Sequence, residues 1–144
     1  MNRYKQLLVL SAMGLCLTAG QVFAHGDVTP QPVDTRDLEK LGDEWRDVNP
    51  YRDHPQHDLA VRIGASAYNQ NCAACHGLEG ISGGMTPDLR YLEEGEYGDE
   101  WFKERVINGA VRDGRVYMPK MASILSQEAL WAIRTWLETQ AVEN

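Results

Sequence analysis

The chain has 144 residues, of which 43% are hydrophobic and 24% charged, as in an ordinary globular domain rather than a disordered chain. At roughly 100–200 residues per domain, this length predicts one domain with at most a short extension. The 14 basic and 21 acidic residues give a formal net charge of −7. This acidic balance argues against nucleic-acid binding, which needs a basic face.

The first 24 residues have the pattern of a secretory signal peptide. Arg3 and Lys5 form a charged start, residues 7–17 form an apolar run, and residues 22–24 end the segment with small or modest side chains. The apolar run is too short to span a bilayer comfortably, so we predict cleavage after Ala24 rather than a membrane anchor. The mature chain would then have two cysteines, three positions apart, in an exported and oxidising compartment.

Residues 25–58 form an N-terminal extension that we predict to be irregular. The segment contains four prolines and many charged residues, with one short helical piece predicted near residues 37–45. It also contains Trp45 and Tyr51, whose large apolar side chains favour burial. We therefore predict that this extension packs on the domain that follows, residues 59–144.

Helical spacing of apolar residues predicts three helices in this domain. The first begins at Leu59 with Asp58 as its cap, the second covers 99–107, and the third follows a cap at Ser126. The glycine-rich residues 77–98 are predicted as loop, and no segment predicts a strand. Short helices and long loops give a small all-α domain a poor core of its own, which predicts a large bound cofactor.

The segment Cys72-Ala73-Ala74-Cys75-His76 is a C-x-x-C-H sequence, the attachment pattern of c-type haem. Two thiols at this spacing reach the two vinyl groups of one porphyrin, and the adjacent imidazole reaches the iron. A redox dithiol would normally follow a strand, and a zinc site would need a second pair of ligands. We therefore predict one covalent haem c bound by Cys72 and Cys75, with His76 as an axial ligand of the iron.

Met118 is predicted to bind the iron opposite His76. It precedes Pro119 and lies shortly before the last helix, so its thioether would be held on a rigid loop. Met121 is the alternative ligand, although Met85 and Met121 are more simply interpreted as packing residues. Methionine opposite histidine raises the reduction potential and fills both axial positions, which favours electron transfer over catalysis.

Several short motifs occur together in residues 59–144. They are Gly64 and Tyr68, the C-x-x-C-H segment, residues 86–89, Met118-Pro119 and residues 125–126. With this set the domain resembles the class I cytochromes c. The resemblance implies the fold of that family, in which Gly64 and Tyr68 cross the last helix near Ile133 and Trp136. It also implies that Pro87 offers its carbonyl to the His76 imidazole, which would orient the ring and raise its basicity.

Residues 25–30, 44–52 and 63–72 extend the likeness over nearly the whole mature chain. With them the chain resembles the periplasmic cytochromes c-550 that serve PQQ-dependent (quinoprotein) alcohol dehydrogenases. This resemblance implies an electron carrier that accepts single electrons from an ethanol dehydrogenase and passes them to a terminal oxidase or another cytochrome. It implies no enzymatic role and no catalytic residue. The alternative is a haem-based ligand-binding sensor in which Met118 is a labile ligand.

Two further groups of residues are candidates for roles around the predicted haem. Hydrogen bonds to the propionates could come from Arg90, Tyr91, Trp101 and Arg105. A docking rim toward a redox partner could be formed by Arg112, Arg115 and Lys120, which flank Met118 in the sequence.

Overall fold

The computed structural model describes residues 30–142. The predicted signal peptide, residues 25–29 and residues 143–144 lie outside the described residues. The described elements are, in order, α1 (His57–Asn71), α2 (Ala73–His76), α3 (Glu96–Asn108), β1 (Ala110–Arg112), β2 (Arg115–Met118) and α4 (Gln127–Glu138). The three predicted helices are found as α1, α3 and α4, and the mostly helical class I cytochrome c fold is confirmed. None of the helices in this range has both the length and the apolar character that a membrane span requires.

Helices α1 and α4 cross where α1 carries a glycine. A Cβ atom added to Gly64 would overlap the carbonyl oxygen of Ala132 on α4, so only glycine permits this approach of the two backbones. One turn further along α1, the ring of Tyr68 packs on Trp136, with ring centroids 4.5 Å apart. The crossing that the family resemblance implies is confirmed.

The helix ends agree with the sequence in part. Ser126 caps α4 as predicted, because its hydroxyl oxygen accepts a hydrogen bond from the Ala129 N–H at 3.3 Å. The cap predicted at Asp58 is wrong: α1 begins at His57, after Gln56. Asp58 lies instead in the first turn, where a carboxylate is favourable near the positive end of the helix dipole.

The prediction that no segment forms a strand is wrong. Strands β1 and β2 pair as an antiparallel hairpin, with Val111 opposite Val116 and Arg112 opposite Arg115. Asp113 and Gly114 join them with φ angles of 49° and 73°. Two successive positive φ angles are typical of the tight two-residue turn that matches strand twist, and Asp-Gly is its favoured sequence.

Residues 30–56 form a strap that lies along α4 and α1. Leu38, Leu41 and Tyr51 are buried in the common core, and the Trp45 and Trp131 rings are 6.4 Å apart. The helical piece predicted near residues 37–45 is wrong, since this segment consists of turns and extended chain.

The strap donates its backbone N–H groups to side chains of α4 rather than to a helix of its own. The Leu41 N–H donates to Glu128 Oε1 at 3.1 Å, and the Arg46 N–H donates to Gln127 Oε1 at 2.7 Å. Backbone groups that a helix would satisfy internally are therefore satisfied by tertiary contacts.

A buried ionic cluster ties the strap to both long C-terminal helices. Asp99 of α3 is fully buried and accepts hydrogen bonds from Arg52 of the strap at 2.7 Å and from Arg134 of α4 at 2.8 Å. The Asn49 N–H also donates to Asp99, at 2.8 Å, and Glu138 forms ion pairs with both arginines. The buried carboxylate is thus fully paired, as burial of a charge requires.

Candidate haem site

An apolar cavity lies beside α4, between α1, α3 and the chain that precedes α4. Aliphatic and aromatic side chains provide most of its lining: Tyr68, Leu89, Trp101, Phe102, Val106, Leu130, Ile133 and Leu137. The same wall includes Cys72, His76 and Met118, so three residues predicted from separate segments of the sequence come together here. Haem is a flat, largely apolar ring with a metal at its centre. A thiol, an imidazole and a thioether on an apolar wall are groups that can hold such a ring, so the residues present fit haem.

The C-x-x-C-H segment is held as a single helical turn. The Cys72 N–H donates to the Tyr68 carbonyl at 2.8 Å, and the His76 N–H donates to the Cys72 carbonyl at 2.9 Å. Cys72 is half-buried and Cys75 is exposed. Burial raises the pKa of the Cys72 thiol to about 12.

The orientation of His76 is set by the loop that follows α2. Its Nδ1 atom lies 3.4 Å from the carbonyl oxygen of Pro87. The Thr86 hydroxyl donates to the Cys75 carbonyl at 2.9 Å, which joins the same loop to the C-x-x-C-H turn. Burial lowers the pKa of His76, which keeps the imidazole neutral, the form that binds a metal.

Two methionines line the cavity. Met118 is the last residue of β2 and is half-buried, whereas Met121 begins the short 3₁₀ turn Met121–Ser123 and is 7% exposed. The choice of Met118 over Met121 as the iron ligand stays a prediction. The interpretation of Met85 as a packing residue is wrong, because its side chain is 97% exposed.

The four candidates for propionate contacts separate into two pairs. Trp101 and Arg105 line the cavity, with the Arg105 guanidinium 5.6 Å from the centre of the Trp101 ring. Arg90 instead pairs with Asp88 at 2.8 Å, and neither it nor Tyr91 lines the cavity. The geometry therefore favours Trp101 and Arg105.

Sequence reasoning missed Leu89 and Val106 as lining residues. Val106 lies in a predicted helix. Its spacing from other apolar residues shows that it is on the buried face, but not that it lines the cavity. Leu89 follows a loop in which periodicity gives no information. Which inward residues meet the cavity depends on how the helices cross, and that is a tertiary property.

Comparison with known proteins places the chain among c-type cytochromes. The family model described as cytochrome c oxidase, cbb3-type, subunit III, matches residues 59–137, more than half of the chain. The chain is 67% identical to cytochrome c550 of Pseudomonas aeruginosa, over 99% of this chain and 97% of that protein. No solved structure gives a significant match.

Much longer enzymes contain a segment similar to this chain. Quinohemoprotein alcohol dehydrogenase ADH IIB of Pseudomonas putida is 32% identical over 58% of this chain, which corresponds to 12% of that enzyme. The dehydrogenase subunit of alcohol dehydrogenase (quinone) of Gluconobacter oxydans is 30% identical over 91% of this chain and 17% of the subunit.

Proposed function

Because this chain belongs to the cytochrome c family, we propose that it accepts single electrons from a PQQ-dependent alcohol dehydrogenase and passes them to a terminal oxidase or another cytochrome. The protein is an electron carrier with one covalently bound haem c, and it is not an enzyme. The proposal places it in the periplasm after removal of residues 1–24.

One observation carries the choice of donor. Dehydrogenases named for quinone or quinohemoprotein chemistry contain a segment that is 30–32% identical to this chain. In those proteins the segment belongs to the same polypeptide as the dehydrogenase. A separate cytochrome chain of the same kind is suited to receive electrons from a quinoprotein dehydrogenase by transfer between two proteins rather than within one polypeptide.

Bound haem c supplies a one-electron couple at its iron, and the residues of this chain hold and adjust it. We assign Cys72 and Cys75 to the two thioether links and His76 to one axial position. The Pro87 carbonyl, 3.4 Å from His76 Nδ1, is suited to accept a hydrogen bond from Nδ1–H, which would leave Nε2 for the iron. Met118 would supply a thioether ligand to the iron, which would raise the reduction potential.

The donor assignment is tested by anaerobic mixing. Oxidised protein, purified PQQ-dependent ethanol dehydrogenase and ethanol are combined, and haem reduction is followed by absorbance. We expect full reduction at a rate that depends on dehydrogenase concentration, with no reduction when ethanol or enzyme is omitted. Reduction no faster than with ethanol alone would rule out this donor.

The axial assignment is tested with two methionine variants. Oxidised protein should show a weak band near the red end of the spectrum, from charge transfer between methionine sulfur and iron. Met118→Ala should abolish the band and lower the reduction potential, and Met121→Ala should retain both. Loss of the band only in Met121→Ala would transfer the ligand role to Met121.

A further inference from the structure

The backbone carbonyls on either side of His76 both accept hydrogen bonds from side-chain hydroxyls. The Tyr68 hydroxyl donates to the Gly77 carbonyl at 2.8 Å. The Thr86 hydroxyl donates to the Cys75 carbonyl at 2.9 Å. The two donors belong to different parts of the fold, α1 and the loop that follows α2. His76 is therefore held on both sides by residues outside its own helical turn.

Tyr68 contacts both ends of the C-x-x-C-H turn. Its backbone carbonyl accepts the Cys72 N–H at 2.8 Å, and its hydroxyl holds the Gly77 carbonyl just beyond the end of α2. The Tyr68 side chain is 0% exposed and its ring packs on Trp136, so the hydroxyl has little freedom to move. A helix of four residues leaves its last carbonyls without partners of its own, and the hydroxyls supply them.

Thr86 connects the same turn to the residue that faces the His76 imidazole. Thr86 directly precedes Pro87, whose carbonyl oxygen lies 3.4 Å from His76 Nδ1. The Ser82 hydroxyl donates to the Thr86 carbonyl and accepts the Gly84 N–H at 3.0 Å, which fixes Thr86 from its other side. Because Thr86 is bound to the turn and Pro87 follows it, the Thr86 hydroxyl controls the distance between the Pro87 carbonyl and the imidazole.

The contact between His76 Nδ1 and the Pro87 carbonyl is sensitive to small movements. Its 3.4 Å length exceeds the usual range of about 2.7–3.2 Å for an N–H···O hydrogen bond. A hydrogen bond from Nδ1–H raises the basicity of an imidazole that binds a metal, which stabilises the more oxidised state. Movement of the loop relative to the turn would therefore change the reduction potential.

We propose that Tyr68 and Thr86 are positioning residues whose hydroxyls form a clamp on the two carbonyls beside His76. Through the Pro87 hydrogen bond, this hydroxyl clamp holds the reduction potential of the haem protein below the value that a freely turning imidazole would give. The proposal rests on haem attachment at the C-x-x-C-H segment with His76 as a ligand. It does not depend on which enzyme donates electrons or on the assignment of Met118.

The test compares holoproteins that each lack one hydroxyl of the clamp. Tyr68→Phe and Thr86→Val remove the hydroxyl and keep the shape of the side chain. Optical redox titration measures the potential, and NMR of the reduced protein measures exchange of the His76 Nδ1–H with D₂O.

Each clamp variant should shift the equilibrium toward the reduced state by about twofold to tenfold, the range for loss of one hydrogen bond. For a one-electron couple, tenfold corresponds to a rise of about 59 mV. The His76 Nδ1–H should exchange faster in both variants. Thr86→Ser keeps a hydroxyl and should restore the wild-type potential and exchange rate.

Matched controls remove the same kind of hydrogen bond elsewhere. Tyr51 is also 0% exposed, and its hydroxyl donates to the Glu39 carbonyl at 2.9 Å. The Thr139 hydroxyl donates to the Trp136 carbonyl at 2.7 Å. Neither Tyr51 nor Thr139 lines the cavity. Tyr51→Phe and Thr139→Val should lower the melting temperature but keep the wild-type potential and exchange rate, which a clamp that merely stabilised the fold would also do.

Two outcomes would overturn the proposal. One is a potential that falls, or rises no more than in the matched control, in either clamp variant, and the other is an unchanged exchange rate of the His76 Nδ1–H. If a clamp variant fails to accumulate as holoprotein, Ser82→Ala replaces it with the same expected direction, because it releases Thr86 and leaves both clamp hydroxyls present. Wild type without covalent haem would overturn the haem assignment together with the clamp. Holoprotein whose potential no clamp variant changes would overturn the clamp alone.

Discussion

The two sides of α4 are buried in different ways. The strap side is polar and directional: Gln127 and Glu128 accept backbone N–H groups of the strap, and Arg134 pairs with buried Asp99. The cavity side presents Leu130, Ile133 and Leu137 to an apolar space.

The strap side is closed by hydrogen bonds within the chain, whereas the cavity side borders the apolar pocket where haem c would bind. In the described residues, every buried side-chain nitrogen or oxygen has a hydrogen-bond partner, so the strap side is complete within the chain. The aliphatic wall is also buried within the chain, since Leu130, Ile133 and Leu137 are at most 2% exposed, and it borders the apolar pocket that haem c would fill. We therefore expect the two sides to respond differently to substitution.

The largest effect is expected from removing haem attachment. Cys72→Ala/Cys75→Ala should give a protein without covalent haem and with a lower melting temperature. Haem c would bury further apolar surface against this wall, and burial of one large apolar group contributes about 1.5–3 kcal/mol to a total stability of roughly 5–15 kcal/mol. Circular dichroism melting and haem staining of a denaturing gel provide the measurement. An unchanged melting temperature would show that the cavity side is also self-sufficient, and Cys75→Ala alone should have an intermediate effect.

The next largest effect is expected at the centre of the strap side. Asp99→Asn removes the buried carboxylate that Arg52 and the 1% exposed Arg134 share and leaves them Glu138 alone. This should lower the free energy of unfolding by about 3 kcal/mol, the lower end for breaking a buried ion pair. Covalent haem should be retained. The control is Asp47→Asn. The Asp47 carboxylate pairs with Lys103 but is 93% exposed, so its loss should leave the free energy of unfolding almost unchanged. Denaturant titration measures both, and equal losses would contradict the comparison.

A smaller effect is expected where α4 meets α1. Gly64→Ala should force the helices apart at the Ala132 carbonyl and lower the free energy of unfolding by about 1–3 kcal/mol. Because the shift moves both sides of α4, the haem absorption spectrum should change as well. Gly83→Ala is the control, since a Cβ there meets no atom within 4 Å. A stable Gly64→Ala protein with an unaltered spectrum would mean that the crossing does not position the cavity.

The smallest effect is expected at Glu128 and depends on pH. Burial opposes ionisation, but the Leu41 N–H and the Ser126 hydroxyl outweigh it and lower the pKa of Glu128 below its ordinary 4.5. A carboxyl whose pKa is lower in the folded than in the unfolded state stabilises the fold above its unfolded-state pKa. This stabilisation is lost as the pH falls through the folded-state pKa. Glu128→Gln should cost about 1–2 kcal/mol at pH 7, and this difference from wild type should shrink below about pH 4.5. A difference that is constant from pH 7 to pH 3 would contradict an ionised Glu128.

Local sequence signals predicted the parts of the site that are close in the chain. The C-x-x-C-H turn brings two thiols and an imidazole together within five residues, and the Ser126 cap needs only the next three residues. The hairpin was also within reach of local reasoning, because Asp113-Gly114 is a recognised turn sequence. It was missed because the flanking strands are only three and four residues long and exposed, so they show no buried alternation.

The sequence by itself determined the haem-binding motif, the three long helices and the candidate axial residues, because each depends on neighbouring residues or on helical spacing. Only the tertiary structure decided that Asp99 is a buried hub, that Trp101 and Arg105 rather than Arg90 face the cavity, and that Met85 points into solvent. These properties depend on atoms far apart in the chain: Asp99 is 47 residues from Arg52 and 35 from Arg134. A charged residue in a helix has the same local pattern whether it faces water or two arginines, and only the packing of the strap against α3 and α4 distinguishes the two cases.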